Sequence, residues 1–220
     1  MAKIEDVSIK NKIYTYIKNL ILTNELKQGD KIPEADIAAA LGISKTPVRE
    51  AIRRLSWEGL IISEPNKSST VRILDERTIH DLAVVRWQHE QLNVPLLVYN
   101  GSNKDFDELE ELAHSCIEYN QFGNLFMRNQ TDCRFHTKMY EIGGNKILTE
   151  LQQRMDLIVQ LWQASSICTT EVKSEFLNQH LELVNILRER NAADALELLY
   201  KHFCVSYGVE INDLLPNAGL

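Results

Sequence analysis

The 220-residue sequence lacks any run of about 18 apolar residues, the length that a membrane-spanning helix needs, so no membrane association is expected. It also lacks a signal peptide, because the N-terminal stretch MAKIEDVSIKNKIYTYIKNL has charges spread through it and no apolar core. No CxxC pair is present, which is typical of reduced thiols in a cytoplasmic protein and not of a disulfide framework. The four scattered cysteines are Cys116, Cys133, Cys168 and Cys204.

Positive charge is scarce overall but unevenly distributed. The chain holds 24 Lys+Arg against 31 Asp+Glu, a formal net charge of -7. Residues 1–75 contain 12 basic and 10 acidic side chains, whereas residues 76–220 contain 12 basic and 21 acidic ones. This difference predicts two modules with different partners. Hydrophobic residues make up 44% of the chain, which is enough to build a core in each module.

The segment LGISKTPVREAIRRLSWEGLI, residues 41–61, is a basic stretch within the acidic chain. Gly42 suits a tight turn that needs a positive φ angle, and Ser44 suits a helix N-cap whose hydroxyl accepts from an exposed backbone N–H. Pro47 then falls in the first helical turn, where a proline costs no hydrogen bond because those N–H groups have no acceptor within the helix. The proline therefore marks the start of a helix, which we expect to run to about Glu58.

This helix has an apolar face at helical spacing, formed by Val48, Ala51, Ile52 and Leu55. Together with a short preceding helix that ends at Gly42, it predicts a helix-turn-helix, whose second helix enters the DNA major groove. Arginine and lysine donate to guanine, and hydroxyls contact phosphate. The candidate DNA-binding residues at the start and on the polar face of the helix are Ser44, Lys45, Thr46, Arg49 and Arg53.

The flanking segments predict a winged helix over residues 1–75. A first helix is expected over Ile9–Leu26, and a second, starting near Pro33, is expected to carry three residues on one face. These three are Ile37, Ala38 and Leu41. Short strands are expected over Leu60–Ser63 and Thr70–Leu74.

The loop EPNKSS between these strands is the candidate wing. Its side chains Lys67, Ser68 and Ser69 would reach phosphate or the minor groove. The alternative is a small three-helix domain whose arginines are merely solvated.

The stretch GDKIPEADIAAALGISKTPVREAIRRLSWEGLI resembles the N-terminal domain of bacterial GntR-family transcription regulators, and the resemblance covers about residues 10–74. It implies binding of a homodimer to a short palindromic operator in double-stranded DNA, usually as a repressor. Two positions depart from the family pattern: Lys45 replaces the usual arginine, and Asn66-Lys67-Ser68 replaces an Arg-Gly in the wing. Lysine lacks the bidentate geometry of arginine, so the operator sequence does not follow from the resemblance.

Residues 76–220 show helical periodicity and few strand signals, which predicts an all-helical bundle with short connections. An early helix is expected to carry Leu82, Val85, Arg86, His89 and Leu92, and an acidic helix follows with Ser102 or Asn103 as its cap. Further helices are expected near residues 120–142, 145–166, 171–190 and 193–213, with Gly143-Gly144 between two of them. The chain is therefore expected to be mainly α-helical.

Four residues of this module form a candidate metal site. Asp132 and His136 share a helix face at spacing i, i+4. His180 and His202 are 22 residues apart around Asn191, the centre of a predicted turn, so two antiparallel helices would bring them to the same height. Three imidazoles and a carboxylate suit a divalent ion, with zinc expected first and nickel, manganese or iron as alternatives. The competing interpretation is that each histidine is an ordinary packing residue.

The segments DLAVVRWQHE, DCRFHTKMYEIGGNKIL, NQHLELVNILRERNAADA and LYKHF resemble the FCD ligand-binding domain of the FadR branch, in its shorter, six-helix VanR-like subgroup. The resemblance puts Asp132, His136, His180 and His202 on the metal ligands. It puts Arg86 on the arginine that meets the carboxylate of a small effector. Gln179 stands where a glutamate is frequent, so the preferred metal stays open.

These patterns together predict a transcription regulator controlled by a small organic acid. Two alternatives stay open: a helical metalloenzyme with an accessory DNA-binding domain, and an architectural DNA-binding protein with a structural metal. No nucleophile motif and no separate general base accompany the candidate metal site, so no enzymatic activity is expected. Turnover of candidate acids would favour the enzyme, and operator binding that ignores effectors would favour the architectural protein.

Overall fold

A computed structural model of the chain describes residues 2–165 and 170–209. Within these residues the chain is largely helical, with one two-stranded antiparallel sheet. The elements are α1 (Ala2–Leu22), α2 (Glu34–Ala40), α3 (Lys45–Trp57), β1 (Ile61–Ile62), β2 (Thr70–Val71), α4 (Glu76–Asn100), α5 (Asn103–Gln121), α6 (Leu125–Gly143), α7 (Lys146–Ser165), α8 (Thr170–Arg188) and α9 (Ala192–Tyr207). None of the described helices has the length and apolar character needed to cross a membrane.

The chain divides into two compact units. The first contains the chain up to Leu74 and the part of α7 that begins at Leu157. The second begins at Asp75 and contains α4, α5, α6, the first part of α7, α8 and α9.

In the first unit, α1 packs against α3. The helix α1 begins before the predicted Ile9 and ends at Leu22, before the predicted Leu26. Its end is followed by Asn24, whose φ angle of 62° leaves the right-handed helical region. The buried side chains of this core are Ile13, Ile17, Ile21, Ile37, Ala38, Val48, Ala51, Ile52 and Leu55. Leu41, which the sequence places on one face with Ile37 and Ala38, follows the end of α2 and is 37% exposed.

The start of α3 follows the predicted pattern with one correction. Gly42 has a φ angle of 63°, Ser44 occupies the N-cap position, and Pro47 lies in the first turn. The Ser44 hydroxyl, however, makes no capping hydrogen bond to the helix, contrary to the prediction. The serine therefore keeps an exposed hydroxyl at the leading end of α3.

The strands of the wing are shorter than predicted. Ile61 pairs with Val71 and Ile62 with Thr70. The Ser63 and Ser69 hydroxyls lie 2.9 Å apart and close the base of the loop. Ser69 is thereby buried, so the prediction that it reaches DNA is wrong, whereas Lys67 and Ser68 at the loop tip are exposed.

In the second unit, six helices form the predicted bundle. The helix α4 packs against α6 and α9, α5 packs against α6 and α8, and α8 packs against α9. Ser102 caps α5 in a capping box with Asp105, and Asn191 caps α9 by accepting from the Asp194 backbone N–H. Gly144, at a φ angle of 78°, separates α6 from α7. Cys168 and the predicted helical residues 210–213 lie outside the described residues.

The buried face of α4 is partly polar. Val85 and Leu92, which the sequence places on this helix, are 45% and 54% exposed, whereas Arg86 is buried. Several buried residues of this helix are polar. The full buried set is Ile79, Ala83, Arg86, Trp87, Glu90, Asn93, Val94 and Leu97. A polar line of side chains, Arg86, Glu90 and Asn93, therefore points into the bundle.

Candidate metal centre and DNA-binding surface

Three histidines from three helices converge in the core of the second unit. His136 lies on α6, His180 on α8 and His202 on α9, and one ring nitrogen of each lies within 4.8 Å of the other two. The rings of His180 and His202 are 4.8 Å apart between centroids, so the helices on either side of Asn191 do bring them to the same height. All three side chains are buried.

A buried carboxylate lies next to the three imidazoles. Asp132 precedes His136 by one turn of α6 and is buried beside it. Its Oδ1 lies 3.5 Å from Nε2 of His180. The three imidazole nitrogens therefore face one another, and the Asp132 carboxylate lies next to His180.

The orientation of two imidazoles can be assigned from their neighbours. Nδ1 of His202 lies 3.1 Å from Oε1 of Gln179, and a glutamine carbonyl oxygen only accepts hydrogen bonds. Nδ1 therefore carries the proton, and Nε2 of His202 keeps its lone pair for a ligand. Nδ1 of His136 faces Oε1 of Glu90 at 3.8 Å, which leaves its Nε2 directed elsewhere.

Buried polar atoms in this cluster lack partners within the described part of the chain. Both ring nitrogens of His180 and Nδ1 of His136 make no hydrogen bond there. Unpaired buried polar atoms are costly, and native proteins retain few of them. A divalent ion bound by the cluster would pair the lone pairs of its imidazoles, so the residues present fit such an ion.

Aromatic rings surround the imidazoles and keep the cluster apolar at its edge. His202 stacks on Phe176 at 4.0 Å between ring centroids, and His180 stacks on Phe135 at 4.4 Å. His136 lies nearly parallel to Phe203 at 6.1 Å. These rings exclude water from the donors.

The dry surroundings hold the imidazoles in the neutral form that binds metals. Burial lowers the pKa of His180 to about 4, with His136 acting in the same direction and Asp132 opposing it. Burial and then the neighbouring His180 and His136 hold the pKa of His202 well below its ordinary value. No proton therefore needs to leave these two rings when an ion binds at neutral pH.

A permanent cation lies next to the cluster. Arg86 on α4 is buried, donates a hydrogen bond to the Tyr207 hydroxyl, and has its guanidinium carbon 4.9 Å from the centre of the Phe203 ring. Burial by itself lowers the pKa of Arg86, but Tyr207, Tyr140 and Glu90 raise it above the usual value. The Phe203 ring thus has Arg86 and His136 as neighbours, and the cation adjoins the candidate metal site.

Sequence reasoning missed several buried polar residues around this cation and the cluster. Glu90 and Asn93 follow Arg86 at spacings i+4 and i+7, which puts all three on one face of α4. Asp156 on α7 accepts hydrogen bonds from Thr137 at 2.5 Å and Gln152 at 2.8 Å, and burial raises its pKa. The helical spacing from Arg86 is the signal that would have found Glu90 and Asn93; Asp156 has no such signal.

The cysteines near the ligands are not part of the donor set. Burial, followed by Asp156 and Asp132, raises the pKa of the Cys133 thiol well above its ordinary value. Its Sγ lies 3.8 Å from the backbone carbonyl of Asp156. The Cys204 thiol is free and partly buried, so both act as packing residues.

The candidate DNA-binding residues of the first unit lie on its surface. The side chains of Ser44, Lys45, Thr46, Arg49 and Arg53 on the helix, and of Lys67 and Ser68 in the wing, are all exposed. Two of these cations have acidic neighbours: Nε of Arg49 lies 2.9 Å from Glu34, and Nζ of Lys67 lies 2.5 Å from Glu64. DNA phosphates or base edges would have to replace these carboxylates.

Arg54 has a different role from the other arginines of α3. Its guanidinium lies 3.8 Å from the centre of the Tyr14 ring and donates to Glu58 at 3.0 Å. The Tyr14 hydroxyl donates to the same carboxylate at 2.6 Å. Arg54 therefore joins α1 to the end of α3 and is a structural residue.

Comparison with known proteins agrees with both parts of this geometry. The family "Bacterial regulatory proteins, gntR family" matches residues 9–71, and the FCD domain family matches residues 81–204. The HTH-type transcriptional regulator YdhC of Bacillus subtilis is 22% identical over 87% of this chain and 86% of its own length. The HTH-type transcriptional repressor GlaR of Escherichia coli is 23% identical over 86% of this chain and 90% of its own.

A solved structure shares the fold. A GntR regulator from Rhodococcus sp. RHA1 superimposes with a TM-score of 0.79 at 21% identity, covering 93% of this chain and 98% of that chain. At this identity the likeness establishes the architecture only.

Proposed function

The chain belongs to the gntR family of bacterial transcriptional regulators and carries an FCD domain, and we propose that it is a repressor controlled by a small organic acid. The acid binds in the helical unit beside a divalent metal ion, and its binding changes the affinity of the protein for its operator. The repressor assignment follows the relative GlaR of Escherichia coli, which is a transcriptional repressor by name.

The convergence of His136, His180 and His202 in a dry core is the observation that carries this proposal. An ordinary core avoids polar atoms that lack partners, and a cluster of imidazoles is expensive unless a ligand binds it. With Asp132, the donor set suits zinc first, and nickel, manganese or iron as alternatives, because imidazole is a poor ligand for calcium and magnesium. A bound ion would supply positive charge and free coordination positions for an effector oxygen.

Arg86 supports an acid as the effector. Its guanidinium is permanently charged and buried, and among the described residues its Nε has no hydrogen-bond partner. A carboxylate accepts two parallel hydrogen bonds from such a group. The acid would therefore bind between Arg86 and the metal ligands, with Tyr207 holding the arginine in place.

The exposed basic residues of the first unit support the DNA-binding role. Arg49 and Lys45 at the leading end of α3 would read base edges, while Ser44, Thr46 and Arg53 would contact the backbone. Lys67 and Ser68 in the wing would contact phosphate. Because one recognition helix covers only half of a site, a homodimer on a palindromic operator is expected. Light scattering that finds a monomer both free and on DNA would contradict the dimer.

The decisive experiment measures metal content and melting temperature together. Wild-type protein should contain one ion per chain and melt at a lower temperature after a chelator removes it, because an ion that binds the folded state stabilises it. His180→Ala should lose both the ion and the response to chelator. Arg86→Ala should keep the ion but lose the effect of effector on DNA binding. A wild-type protein that binds no stoichiometric metal and melts identically with chelator would return the histidines to packing roles.

A further inference from the structure

Glu90 presents an unexplained carboxylate in the core of the helical unit. Its side chain is 0% exposed, and within the described residues neither oxygen accepts a hydrogen bond of full geometry. The Tyr140 hydroxyl lies near this carboxylate. Burial, and then the Glu90 carboxylate, hold the pKa of Tyr140 well above its ordinary value. A carboxylate without full hydrogen-bond partners is among the most costly groups to bury, so a role is expected for it.

A complementary atom near Glu90 belongs to a candidate metal ligand. Oε1 of Glu90 lies 3.8 Å from Nδ1 of His136, and that nitrogen also has no hydrogen-bond partner in the described part of the chain. One atom can accept a proton and the other can donate one, so each could satisfy the other. This distance is somewhat less than 1 Å longer than the length of a hydrogen bond. A small rotation of the imidazole ring would close the difference.

The same cluster already contains an imidazole oriented in this way. Nδ1 of His202 donates to the side-chain carbonyl of Gln179 at 3.1 Å, which leaves Nε2 free for an ion. His180 differs, because its Nδ1 has no acceptor among the described residues and its ring is held by stacking on Phe135. The side-chain oxygen of Gln179 thus lies next to Nδ1 of His202, and a side-chain oxygen of Glu90 lies in the corresponding place next to Nδ1 of His136.

We infer that Glu90 is a positioning residue of the metal centre, which accepts a hydrogen bond from Nδ1–H of His136 when a divalent ion binds Nε2. This inference rests on the proposed metal-dependent function. A hydrogen bond to the far nitrogen fixes the tautomer and the ring orientation and makes the ligating nitrogen more basic. A carboxylate does this more strongly than the neutral amide of Gln179, because hydrogen bonds with an ionised partner are stronger.

The position of Glu90 on α4 explains how its charge is tolerated. Arg86 lies one turn earlier on the same helix face, and Glu90 contributes to the raised pKa of that arginine. Glu90 therefore stands between the buried cation and a ligand of the ion. Since Nδ1 and Nε2 point away from each other across the ring, an acceptor at Nδ1 acts on the ion through His136 and not as a further ligand.

The test measures the affinity of the full-length protein for Zn²⁺ by competition with a coloured chelator, together with the visible absorption of the Co²⁺-loaded protein. Glu90→Leu removes the acceptor and the charge, and we expect a loss of roughly 10- to 100-fold in Zn²⁺ affinity with altered Co²⁺ bands. Glu90→Gln keeps an acceptor oxygen at the same place. It should therefore recover part of the affinity and still bind several-fold more weakly than wild type.

Leu97→Ala is the matched control, since Leu97 is a fully buried apolar side chain on the same helix, seven residues beyond Glu90. It should lower the melting temperature yet leave the Zn²⁺ affinity and the Co²⁺ spectrum unchanged. If both Glu90 variants bind Zn²⁺ as wild type does, the positioning role is overturned while the metal site stands. If Glu90→Leu does not fold, a Glu90→Gln variant that binds Zn²⁺ as tightly as wild type would equally overturn the positioning role. If wild-type protein binds no Zn²⁺, the proposed function and this inference fall together.

Discussion

The two units hold their functional side chains in opposite environments. In the first, the candidate DNA contacts are exposed: the Arg49 side chain is 64% exposed, and its carboxylate neighbour Glu34 is partly exposed. In the second, the candidate ligands are enclosed: His180 is 1% exposed and His202 is 2% exposed. The first unit presents charge to a large partner, whereas the second takes a small ligand into its core.

This difference separates binding from stability. An exposed arginine contributes little to folding, because surface ion pairs are worth about 0–1 kcal/mol, so it can be replaced without unfolding the domain. A buried imidazole without a partner lowers stability until a ligand binds, so its replacement changes folding and binding together. Variants of the two units are therefore expected to fail in different ways.

The largest effect is expected at the DNA surface. Arg49→Ala should abolish specific operator binding, because one lost bidentate base contact costs roughly 1–3 kcal/mol and a dimer loses it twice. The corresponding loss of affinity is roughly 30-fold to 10⁴-fold, with the melting temperature unchanged. Fluorescence anisotropy on operator and on random DNA measures it.

Arg54→Ala is the matched control on the same helix. Because Arg54 packs on Tyr14 and bonds to Glu58, its loss should lower stability by about 1 kcal/mol and preserve sequence preference. If Arg54→Ala also removed specificity, or Arg49→Ala spared it, α3 would read DNA in a different way from the one proposed.

The second effect concerns the enclosed histidines and pH. The pKa of His180 is lowered to about 4 in the folded chain, whereas the unfolded chain has the ordinary value of about 6.5. As pH falls, the unfolded state takes up the proton first, so stability of the metal-free protein is lost between about pH 6.5 and 4. The full loss is about 3 kcal/mol for this residue. Urea titrations of chelator-treated protein at several pH values measure it, and a flat profile across this window would contradict it.

A third effect should have the opposite sign from an ordinary core substitution. His180→Leu removes two buried nitrogens that lack partners in the described chain and keeps an apolar side chain against Phe135. In metal-free protein at pH 7 it should raise the free energy of unfolding by about 1 kcal/mol, and it should abolish stabilisation by metal. Leu183→Ala, a buried apolar truncation on the same helix, should lower the free energy of unfolding and leave metal binding intact. Equal destabilisation by both variants would mean that His180 is an ordinary packing residue.

How far the sequence predicts the molecule depends on whether a feature is local. The cap position of Ser44, the positive φ angle of Gly42 and the facing of His180 and His202 across Asn191 follow from spacing along one or two helices. The buried polar residues of α4 were missed for a physical reason: apolar side chains usually mark the core, whereas here Glu90 and Asn93 are buried and the apolar Val85 and Leu92 are exposed. Which side of α4 is buried depends on its packing against α6 and α9, and a functional core reverses the usual preference for apolar residues.

The smallest effect is expected in the wing, where a charge acts without reading sequence. Lys67→Ala should weaken binding to all DNA sequences alike and reduce the slope of log affinity against log salt by about 1 per subunit, because one fewer phosphate is neutralised. Glu64, whose carboxylate lies 2.5 Å from the Lys67 ammonium, offers the opposite change. Glu64→Gln frees that ammonium and removes a negative charge near the phosphates, so it should strengthen binding to every sequence. Operator and random duplexes titrated at several salt concentrations separate the cases, and a Lys67→Ala variant that lost preference for operator over random DNA would show that the wing reads bases.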